Sequence, residues 1–446
     1  MLWFERALLP SGWARRVRLT VADGLIVSVT TDADPASGDQ RHGIALPGLP
    51  NLHSHAFQRG MAGLAERRGP SSDSFWSWRE TMYRFVDRIG PDDLAAIAAM
   101  AFVEMLEGGF TRVGEFHYLH HASDGTPYAD RAEMAAALVR AANEAGIALT
   151  LLPVFYAHGG FGGQPPGEGQ RRFLNDRDGF AALLDASHGA VRGLPDAVVG
   201  VAPHSLRAVT PADLAALVPL AGGGPVHIHI AEQEREVADC IAWSGARPVE
   251  WLLDNAPVGP AWCAVHATHM TADETQRLAA SSAVAGLCPI TEANLGDGIF
   301  PAQEFLAAGG RYGIGSDSNV LISAAEELRL LEYGQRLSRR SRNVLADAGG
   351  STGAALFAGA LVGGAQALGA PAGLVPGHPA DLFSLAAAHP TLAVHDGDAI
   401  LDAFVFAGTP VDRVWRRGVE LVCGGRHHAR DGIAARYRER MARWRD

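Results

Sequence analysis

Hydrophobic and polar positions form a repeating pattern over most of the chain, in which short β-like runs alternate with stretches of helical spacing. Eight such runs lie at Ile44–Asn51, Thr111–Phe116, Ile147–Phe155, Ala197–Ala202, Pro225–Ala231, Trp262–Ala267, Ala283–Cys288 and Arg311–Ser316. The clearest helix is Pro91–Glu107, which has proline in its first turn and Gly108-Gly109 after its end. Eight strands separated by helices predict parallel strands with right-handed crossovers, and therefore an α/β protein with a (β/α)8 TIM-like barrel.

Both ends of the chain show short strands without this alternation. The predicted strands are Ala14–Thr20, Leu25–Thr30, Ala380–Leu385, Ala399–Phe406 and Arg413–Cys423. A helix rich in arginine is expected from Asp431 to Arg445. We predict that residues 1–46 and 371–446 form one small β-sandwich domain with a C-terminal helix, beside a barrel of residues 47–370.

Length and composition agree with this organisation and limit the possible partners. The chain has 446 residues, whereas a single barrel needs about 250, so further structure is expected. Its net charge of −11 disfavours general binding to nucleic acid, and the basic helix is therefore expected to be solvated or to contact a subunit. No apolar run reaches the roughly 18 residues that span a bilayer, and the first residues do not resemble a secretory signal. Four widely spaced cysteines fit reduced thiols in a cytoplasmic protein.

The chain contains no lysine, so all 38 of its Lys and Arg side chains are arginines. This excludes a P-loop lysine, Schiff-base chemistry and the carboxylated lysine that bridges two metals in some hydrolases. The glycine-rich stretch Gly159–Gly169 is accordingly not expected to hold phosphate. It is expected to be a mobile loop over the site or a plain surface loop.

Histidines and an aspartate lie at the carboxyl ends of predicted strands, where barrel enzymes place their chemistry. His53 and His55 follow the first run and, being two residues apart, can reach the same ion. His229 ends the fifth run and Asp317 follows the eighth. Three imidazole nitrogens and one carboxylate suit Zn²⁺, and a catalytic site keeps one position open for water. We therefore predict a metal site formed by these four residues.

Three residues are predicted to be catalytic. Asp317 can touch both metal and water, so it can accept a proton. Glu232 lies three residues beyond His229 and is placed to carry a proton between water and a leaving nitrogen. His266 ends the sixth run and is left to polarise the reacting carbon–nitrogen group or to hold a tetrahedral intermediate. His227 is expected to support the site or to pack within it.

These motifs resemble the signature of the amidohydrolase superfamily. The matching segments are Leu46 to His55, His229-x-x-Glu232, His266, Gly315 to Ser318, Gly373 to Gly377 and Ala380 to Leu382. The resemblance covers nearly the whole chain. It implies one divalent metal per chain, usually Zn²⁺, in the deaminase branch that does without a carboxylated lysine.

The loops predicted at the barrel mouth narrow the substrate. Arg79 and Arg207 suit carboxylates, which a guanidinium binds in a bidentate fork. The surrounding loop segments resemble the formimidoylglutamate deiminase family, whose members convert N-formimino-L-glutamate and water to N-formyl-L-glutamate and ammonia in histidine degradation. That resemblance implies that Arg79, Tyr118 and Arg207 bind the carboxylates of a small dicarboxylate substrate, while Gln58 and His204 complete the pocket.

Other functions stay open at this stage. A guanine-type heterocycle aminohydrolase needs aromatic stacking and amide contacts to the ring, and an imidazolonepropionase-like enzyme opens a cyclic amide on the same barrel. A metal-binding protein without catalysis is disfavoured by Glu232 and His266. The Glu292-x-Asn294 segment departs from the serine-asparagine pair of related purine deaminases, and Glu292 itself has no assigned role. Beyond the substrate, a second copy of the chain is the candidate protein partner, in a homodimer.

Overall fold

The computed structural model describes residues 1–68 and 75–444. Its strands are Leu2–Leu9 (β1), Gly12–Ala22 (β2), Leu25–Thr30 (β3), Gln40–Pro47 (β4), Leu49–Ser54 (β5), Phe110–His117 (β6), Ala148–Phe155 (β7), Val198–Val199 (β8), Ala202–Pro203 (β9), Val226–Ile230 (β10), Trp262–His266 (β11), Val284–Leu287 (β12), Arg311–Ile314 (β13), Leu382–Leu385 (β14), Arg413–Arg416 (β15), Val419–Cys423 (β16) and Arg426–His427 (β17). Its α-helices are Phe75–Val86 (α1), Pro91–Glu107 (α2), Glu133–Ala145 (α3), Arg177–Ala190 (α4), Pro211–Leu217 (α5), Glu234–Ser244 (α6), Pro248–Asn255 (α7), Ala272–Ala280 (α8), Pro289–Leu295 (α9), Ala302–Ala307 (α10), Ala324–Arg339 (α11), Thr352–Ala367 (α12), Ala399–Phe406 (α13) and Arg430–Met441 (α14). The predicted helix Pro91–Glu107 is confirmed at both ends.

Strands β5 to β13 form a closed barrel of parallel strands. Two sheets run in the orders β5-β6-β7-β8 and β10-β11-β12-β13, and β9 pairs with β7 as a continuation of β8. Parallel bridges join Ser54 to Asp317 and Val201 to Val226, which closes the gaps between the two sheets. Strands β6 and β7 are buried along their whole length because helices cover the barrel, and the sequence of β7 is accordingly almost entirely apolar. The predicted α/β fold with a TIM-like barrel is confirmed.

Two of the predicted barrel strands are interrupted in the structure. The run Ile44–Asn51 is divided at Gly48 into β4, outside the barrel, and β5, inside it. A side chain at Gly48 would meet Thr111, since a Cβ atom there would lie 2.2 Å from its Oγ1 atom. The run Ala197–Ala202 is interrupted at Gly200, which separates β8 from β9. The sequence did not reveal these breaks. The strands on both sides of each glycine are partly or wholly buried, so the apolar pattern continues across it.

The two chain ends meet in one eight-stranded sheet with the order β17-β16-β15-β14-β4-β1-β2-β3. Strand β4 lies between β1, with which it is parallel, and β14, with which it is antiparallel. Phe4 and Trp415, from opposite ends of the chain, pack edge to face with ring centroids 5.7 Å apart. A small domain built from both ends is therefore present, while its predicted limits at 1–46 and 371–446 stay a prediction.

The segment Ala399–Phe406 was predicted as a strand, and this is wrong because it forms helix α13. Five of its residues are buried, so the helix has no continuous polar face that would reveal its period. The side chain of Asp402 fixes the helix against α12, since its Oδ1 atom accepts a hydrogen bond of 2.8 Å from the backbone N–H of Gly353.

The C-terminal helix α14 uses its arginines within the chain. Arg430 pairs with Glu107, and Arg440 lies 3.2 Å from Asp92, so two basic residues dock the helix on α2. The predicted helix ran to Arg445, which lies outside the described residues. In residues 1–68 and 75–444, no helix has both the length and the apolar character that crossing a bilayer requires.

Gly363 marks the closest approach of α12 to the barrel, and we expect Gly363→Ala to destabilise the fold. A Cβ atom at this position would lie 1.9 Å from the carbonyl oxygen of Tyr312 in β13, so helix and strand must separate. Overpacking of this kind costs about 1–3 kcal/mol or more in the free energy of unfolding. The measurement is the midpoint of urea unfolding at an unchanged slope.

The control is Gly432→Ala on α14, where a Cβ atom meets nothing within 4 Å. Because alanine favours a helix over glycine, this variant should gain about 0.5–1 kcal/mol. A Gly363→Ala midpoint at or above that of the wild type would contradict the packing described here.

Candidate active site

Four predicted ligand residues converge at the carboxyl end of the barrel. The Nε2 atom of His53 lies 3.2 Å from Nε2 of His55 and 3.0 Å from Nε2 of His229. The Oδ1 atom of Asp317 lies 3.2 Å from Nε2 of His55 and 3.5 Å from Nε2 of His53. All four side chains are buried. They lie around one centre although they are far apart in the sequence, because each stands at or just after the end of a barrel strand.

These separations fit a tetrahedral metal ion. A zinc site with bonds of about 2.0–2.1 Å places neighbouring ligand atoms about 3.3 Å apart, since the edge of a tetrahedron is about 1.6 times its centre-to-corner distance. The observed separations of 3.0–3.5 Å bracket that value. Three imidazole nitrogens held this close to one another and to a carboxylate could hold a divalent cation.

The protonation states suit the same role. The Nδ1 atom of His55 lies 2.9 Å from the carbonyl oxygen of Phe116, which can only accept, so the lone pair of Nε2 faces Asp317. Burial lowers the pKa of His53 to about 3 and holds the pKa of His229 well below its ordinary value. Burial opposes ionisation of Asp317, but the adjacent His53 and His55 rings outweigh it, and its pKa is lowered. Two neutral imidazoles and one carboxylate are thus available for binding, and His55 presents its Nε2 atom to the same centre.

A second group of possible ligand atoms, from His266, Cys288 and Asp317, shares the aspartate with the first. Burial raises the pKa of the Cys288 thiol well above its ordinary value. A thiol must lose its proton to bind a metal, so this group is the weaker candidate.

Backbone geometry at the strand ends is strained where these side chains emerge. Ala231, His266 and Asp317 have positive φ angles of 50°, 69° and 43°, which residues with a side chain seldom adopt. Each such residue costs about 1–3 kcal/mol and persists only where its surroundings hold it. One such support is Asn319, whose Nδ2 atom lies 3.0 Å from the carbonyl oxygen of Asp317 and 3.1 Å from that of His55.

Glu232 and His266 lie next to the ligand cluster. The Oε1 atom of Glu232 is 3.9 Å from Nε2 of His266, and Nε2 is also 3.9 Å from Oδ2 of Asp317. Burial raises the pKa of Glu232 to about 6, so this carboxyl group exchanges its proton near neutrality. Burial disfavours protonation of His266, but Glu232, Glu292 and Asp317 outweigh it and raise its pKa to about 10.

The structure shows what Glu292 contacts, whereas the sequence assigned it no role. Its Oε1 atom lies 3.2 Å from Nδ1 of His266 and accepts a hydrogen bond of 2.9 Å from the backbone N–H of Cys288. The carboxylate therefore holds His266 with Nδ1–H directed away from the site and Nε2 directed toward Glu232 and Asp317.

A pocket with an empty volume of about 580 Å³ opens above the cluster. It is lined by every predicted site residue except His53, which lies beneath its floor; the others are His55, Gln58, Arg79, Tyr118, His204, Arg207, His229, Glu232, His266 and Asp317. These residues come from six separate strand ends and loops of the barrel. Their roles stay predictions, but the structure brings all of them to one place.

The two arginines differ in their surroundings. Arg207 is partly buried, with 11% of its side chain exposed, and its guanidinium lies 4.0 Å from Glu236, while its Nε atom has no hydrogen-bond partner in the described residues. Arg79, on α1, stacks over Trp76 with its Cζ atom 4.5 Å from the ring centroid. No carboxylate of the described residues pairs with Arg79, so its charge is available to an anion in the pocket. Residues 69–74, which precede α1, lie outside the described residues.

Other pocket residues and supports were not predicted. Phe75, Tyr156 and Thr291 line the pocket, and Tyr156 directly follows β7, so its place after a strand end was a usable signal. His227 has its Nε2 atom 2.7 Å from the carbonyl oxygen of Ala367, which agrees with a supporting role below the site.

Sequence comparisons identify two matching families. A profile of the Amidohydrolase family matches residues 44–421, and one described as the N-terminal domain of formimidoylglutamate deiminase HutF matches residues 2–43. Formimidoylglutamate deiminase from Pseudomonas aeruginosa is 53% identical over 99% of this chain and 97% of its own length. 8-Oxoguanine deaminase from the same species is 28% identical over 71% of this chain and 72% of its own length.

Solved structures share the fold over the full length. An amidohydrolase from Brucella melitensis superposes with a TM-score of 0.97 at 55% identity, covering 99% of both chains. An adenosine deaminase from Xanthomonas campestris, solved with bound zinc, has a TM-score of 0.81 at 23% identity and covers 100% of this chain and 98% of its own. The second likeness shows the fold alone.

The two histidines of β10 should differ in their effect on metal binding. His229→Asn removes a nitrogen of the converging set, so we expect most of the bound metal to be lost after dialysis. His227→Asn alters a ring that contacts Ala367 and should retain its metal. Elemental analysis of the folded variants makes the comparison. Equal metal content in the two variants would show that the ligand set is assigned incorrectly.

Proposed function

Because the chain belongs to the amidohydrolase family, and within it to the formimidoylglutamate deiminases, we propose that it hydrolyses N-formimino-L-glutamate to N-formyl-L-glutamate and ammonia. It is a hydrolase acting on a non-peptide carbon–nitrogen bond, and its reaction belongs to histidine degradation. The observation that carries this conclusion is the full-length match to the deiminase of Pseudomonas aeruginosa. That match sets aside the heterocycle aminohydrolase and imidazolonepropionase-like alternatives.

The family depends on a metal, and we propose one Zn²⁺ ion per chain, held by His53, His55, His229 and Asp317. The separations of the four ligand atoms support this assignment. The competing group of His266, Cys288 and Asp317 is a weaker candidate, because burial raises the pKa of the Cys288 thiol and a protonated thiol is a poor ligand. A bound divalent ion would supply Lewis acidity that makes water a better nucleophile near neutral pH.

The reaction itself requires two proton transfers. The oxygen of water bonds to the formimino carbon, and the bond between that carbon and its terminal nitrogen breaks. Both protons of the water end on the departing nitrogen, which already carries one hydrogen and leaves as ammonia. The site must therefore contain groups that accept protons on one side of the reacting carbon and release them on the other.

Three side chains are placed for this transfer. Glu232, with its pKa raised to about 6, can take a proton from water and give it to the leaving nitrogen at neutral pH. Asp317 offers a second acceptor through Oδ2, which faces Nε2 of His266 at 3.9 Å. His266, oriented by Glu292, presents Nε2 to stabilise negative charge that develops on the attacking oxygen.

The remaining residues are proposed to bind the glutamyl part of the substrate. Arg79 and Arg207 would hold the carboxylates, with Tyr118 beside them. The Nε2 atom of Gln58 donates a hydrogen bond of 2.9 Å to the hydroxyl of Tyr118, and the Oε1 atom of Gln58 has no partner in the described residues. That oxygen can accept an N–H of the substrate. His204, which Arg207 and burial keep neutral, completes this wall.

We also propose that the protein acts as a homodimer in the cytoplasm. The four cysteines are free thiols, as expected in a reducing compartment. A place in histidine degradation supports the same location.

Glu232→Gln should separate chemistry from metal binding. The amide keeps the shape of the side chain but cannot transfer a proton, so kcat should fall by about 10²- to 10⁴-fold with an unchanged metal content. The matched control is Glu234→Gln, an exposed position two residues later. Full activity of Glu232→Gln in an ammonia-release assay would refute the proton-transfer role.

Substrate choice tests the function directly. The wild type should release ammonia from formiminoglutamate with a far higher kcat/KM than from guanine or cytosine. Removal of one buried partner of a carboxylate costs about 2–5 kcal/mol, so Arg79→Met should lower kcat/KM by roughly 30-fold or more. Arg84→Met, an exposed arginine of the same helix α1, should behave like the wild type. Preference for guanine, or equal kinetics for the two variants, would count against the dicarboxylate site.

A further inference from the structure

Tyr156 stands at the end of β7, directly after Phe155, and its side chain lines the pocket. Its ring lies against that of His204, with centroids 4.5 Å apart. The side chain is 6% exposed, and burial is the main cause that raises the pKa of its hydroxyl to about 12. The hydroxyl therefore keeps its hydrogen throughout the neutral range.

The direction of the hydrogen bond at this hydroxyl is fixed by Gln170. The backbone N–H of Gly167 donates to Oε1 of Gln170 at 2.7 Å, and a backbone N–H can only donate. The other end of the amide, Nε2, is consequently the end that faces the Tyr156 oxygen, at 2.6 Å. Because Nε2 is a donor, the hydroxyl oxygen accepts this bond, and its own hydrogen must point elsewhere.

The charged groups that act on this hydroxyl are cationic, namely the guanidinium groups of Arg207 and Arg79. In residues 1–68 and 75–444, the hydroxyl has no hydrogen-bond acceptor, and the charged groups of the same pocket wall include Arg79 and Arg207. A wall that offers two guanidinium groups and one hydroxyl hydrogen is complementary to a carboxylate, which only accepts when ionised.

We propose that Tyr156 is a substrate-binding residue, which donates its hydroxyl hydrogen to a carboxylate held beside Arg79 and Arg207, and that Gln170 orients it for this. The proposal rests on the dicarboxylate substrate proposed above. The Tyr156 hydroxyl adds a further donor to the carboxylate site beside Arg79, Arg207 and Tyr118, and it favours a dicarboxylate over a neutral substrate at that wall.

The hydrogen bond between Gln170 and Tyr156 gives the glycine-rich segment Gly159–Gly169 a function. The segment folds back on itself, because the N–H of Gly159 donates to the carbonyl oxygen of Gln164 at 2.8 Å. Its end lies against the pocket, where a Cβ atom at Gly169 would be 2.6 Å from the ring of Tyr83. Gln170 follows directly, so the segment sets the position of the amide that orients Tyr156.

Tyr156→Phe tests the proposal, since it removes the hydroxyl alone. We expect KM for formiminoglutamate to rise about 10- to 100-fold, the effect of losing one hydrogen bond to a charged group, with kcat and metal content nearly unchanged. Tyr312→Phe is the control, because the hydroxyl of this buried tyrosine donates to the carbonyl oxygen of Leu356 outside the pocket. Its KM should match that of the wild type. An unchanged KM for Tyr156→Phe, or a fall in kcat alone, would overturn the proposal.

Two analogues identify the carboxylate concerned: 4-(formiminoamino)butanoate, which lacks the α-carboxylate, and N-formimino-L-2-aminobutyrate, which lacks the side-chain carboxylate. Tyr156→Phe should raise KM for the diacid and for one analogue only, since the other has already lost the group that the hydroxyl binds. An equal rise in KM for all three compounds would indicate a general disturbance of the pocket and contradict a specific hydrogen bond.

Gln170→Glu reverses the hydrogen bond. A carboxylate at this position can still accept from Gly167 but would also accept from Tyr156, which draws the hydroxyl hydrogen away from the substrate. KM should rise as it does in Tyr156→Phe, and the double variant should be no worse than the single ones. An additive double variant would reflect charge repulsion and overturn the orienting role. Wild-type protein that releases no ammonia from formiminoglutamate would instead contradict the proposed function.

Discussion

Backbone hydrogen bonds between β5 and the residues that follow β13 close the barrel, and the residues that make them carry the side chains proposed as metal ligands. The N–H of Asp317 donates to the carbonyl oxygen of His53 at 3.0 Å, and the N–H of His55 donates to that of Asp317 at 2.9 Å. A shift of register at this seam would displace three ligand atoms together. The geometry of the site therefore depends on the hydrogen bonds of the barrel itself. Asn319 stabilises the seam further, because its side chain donates to backbone carbonyl groups on both sides of it.

The charges around this seam are arranged so that a dianion can enter. Several buried carboxyl groups lie under the rim, and full ionisation of all of them would repel a dicarboxylate. Burial, assisted by nearby carboxylates, raises the pKa of Asp297 to about 9 and that of Glu327 well above its ordinary value, which reduces the negative charge that a dicarboxylate meets. The wall of the pocket also carries Arg79 and Arg207, whose positive charges attract a dianion.

Sequence patterns predicted the barrel and the convergence of the four candidate ligand residues because both depend on periodicity and position. His53, His55, His229 and Asp317 stand at strand ends, and strand ends meet at one rim in any parallel barrel. Helix α13 was predicted incorrectly because burial on several sides removed its period. Glu292 and Gln170 were not given roles, since each acts on another side chain through a contact that only the folded loops create. Tyr156 lay between these cases, at a strand end but without an obvious chemical partner in the sequence.

The position of β4 also determines the order in which the chain can be completed during synthesis. Its partner β1 has already left the ribosome, but β14, on its other edge, begins only at Leu382. Throughout translation of the barrel, that edge of β4 offers unpaired backbone groups to any neighbouring strand. A chain whose synthesis is interrupted just before Leu382 would carry a nearly complete barrel attached to an open sheet. Until β14 is made, this edge of β4 is therefore the part of the sheet that must be shielded from other strands to avoid aggregation.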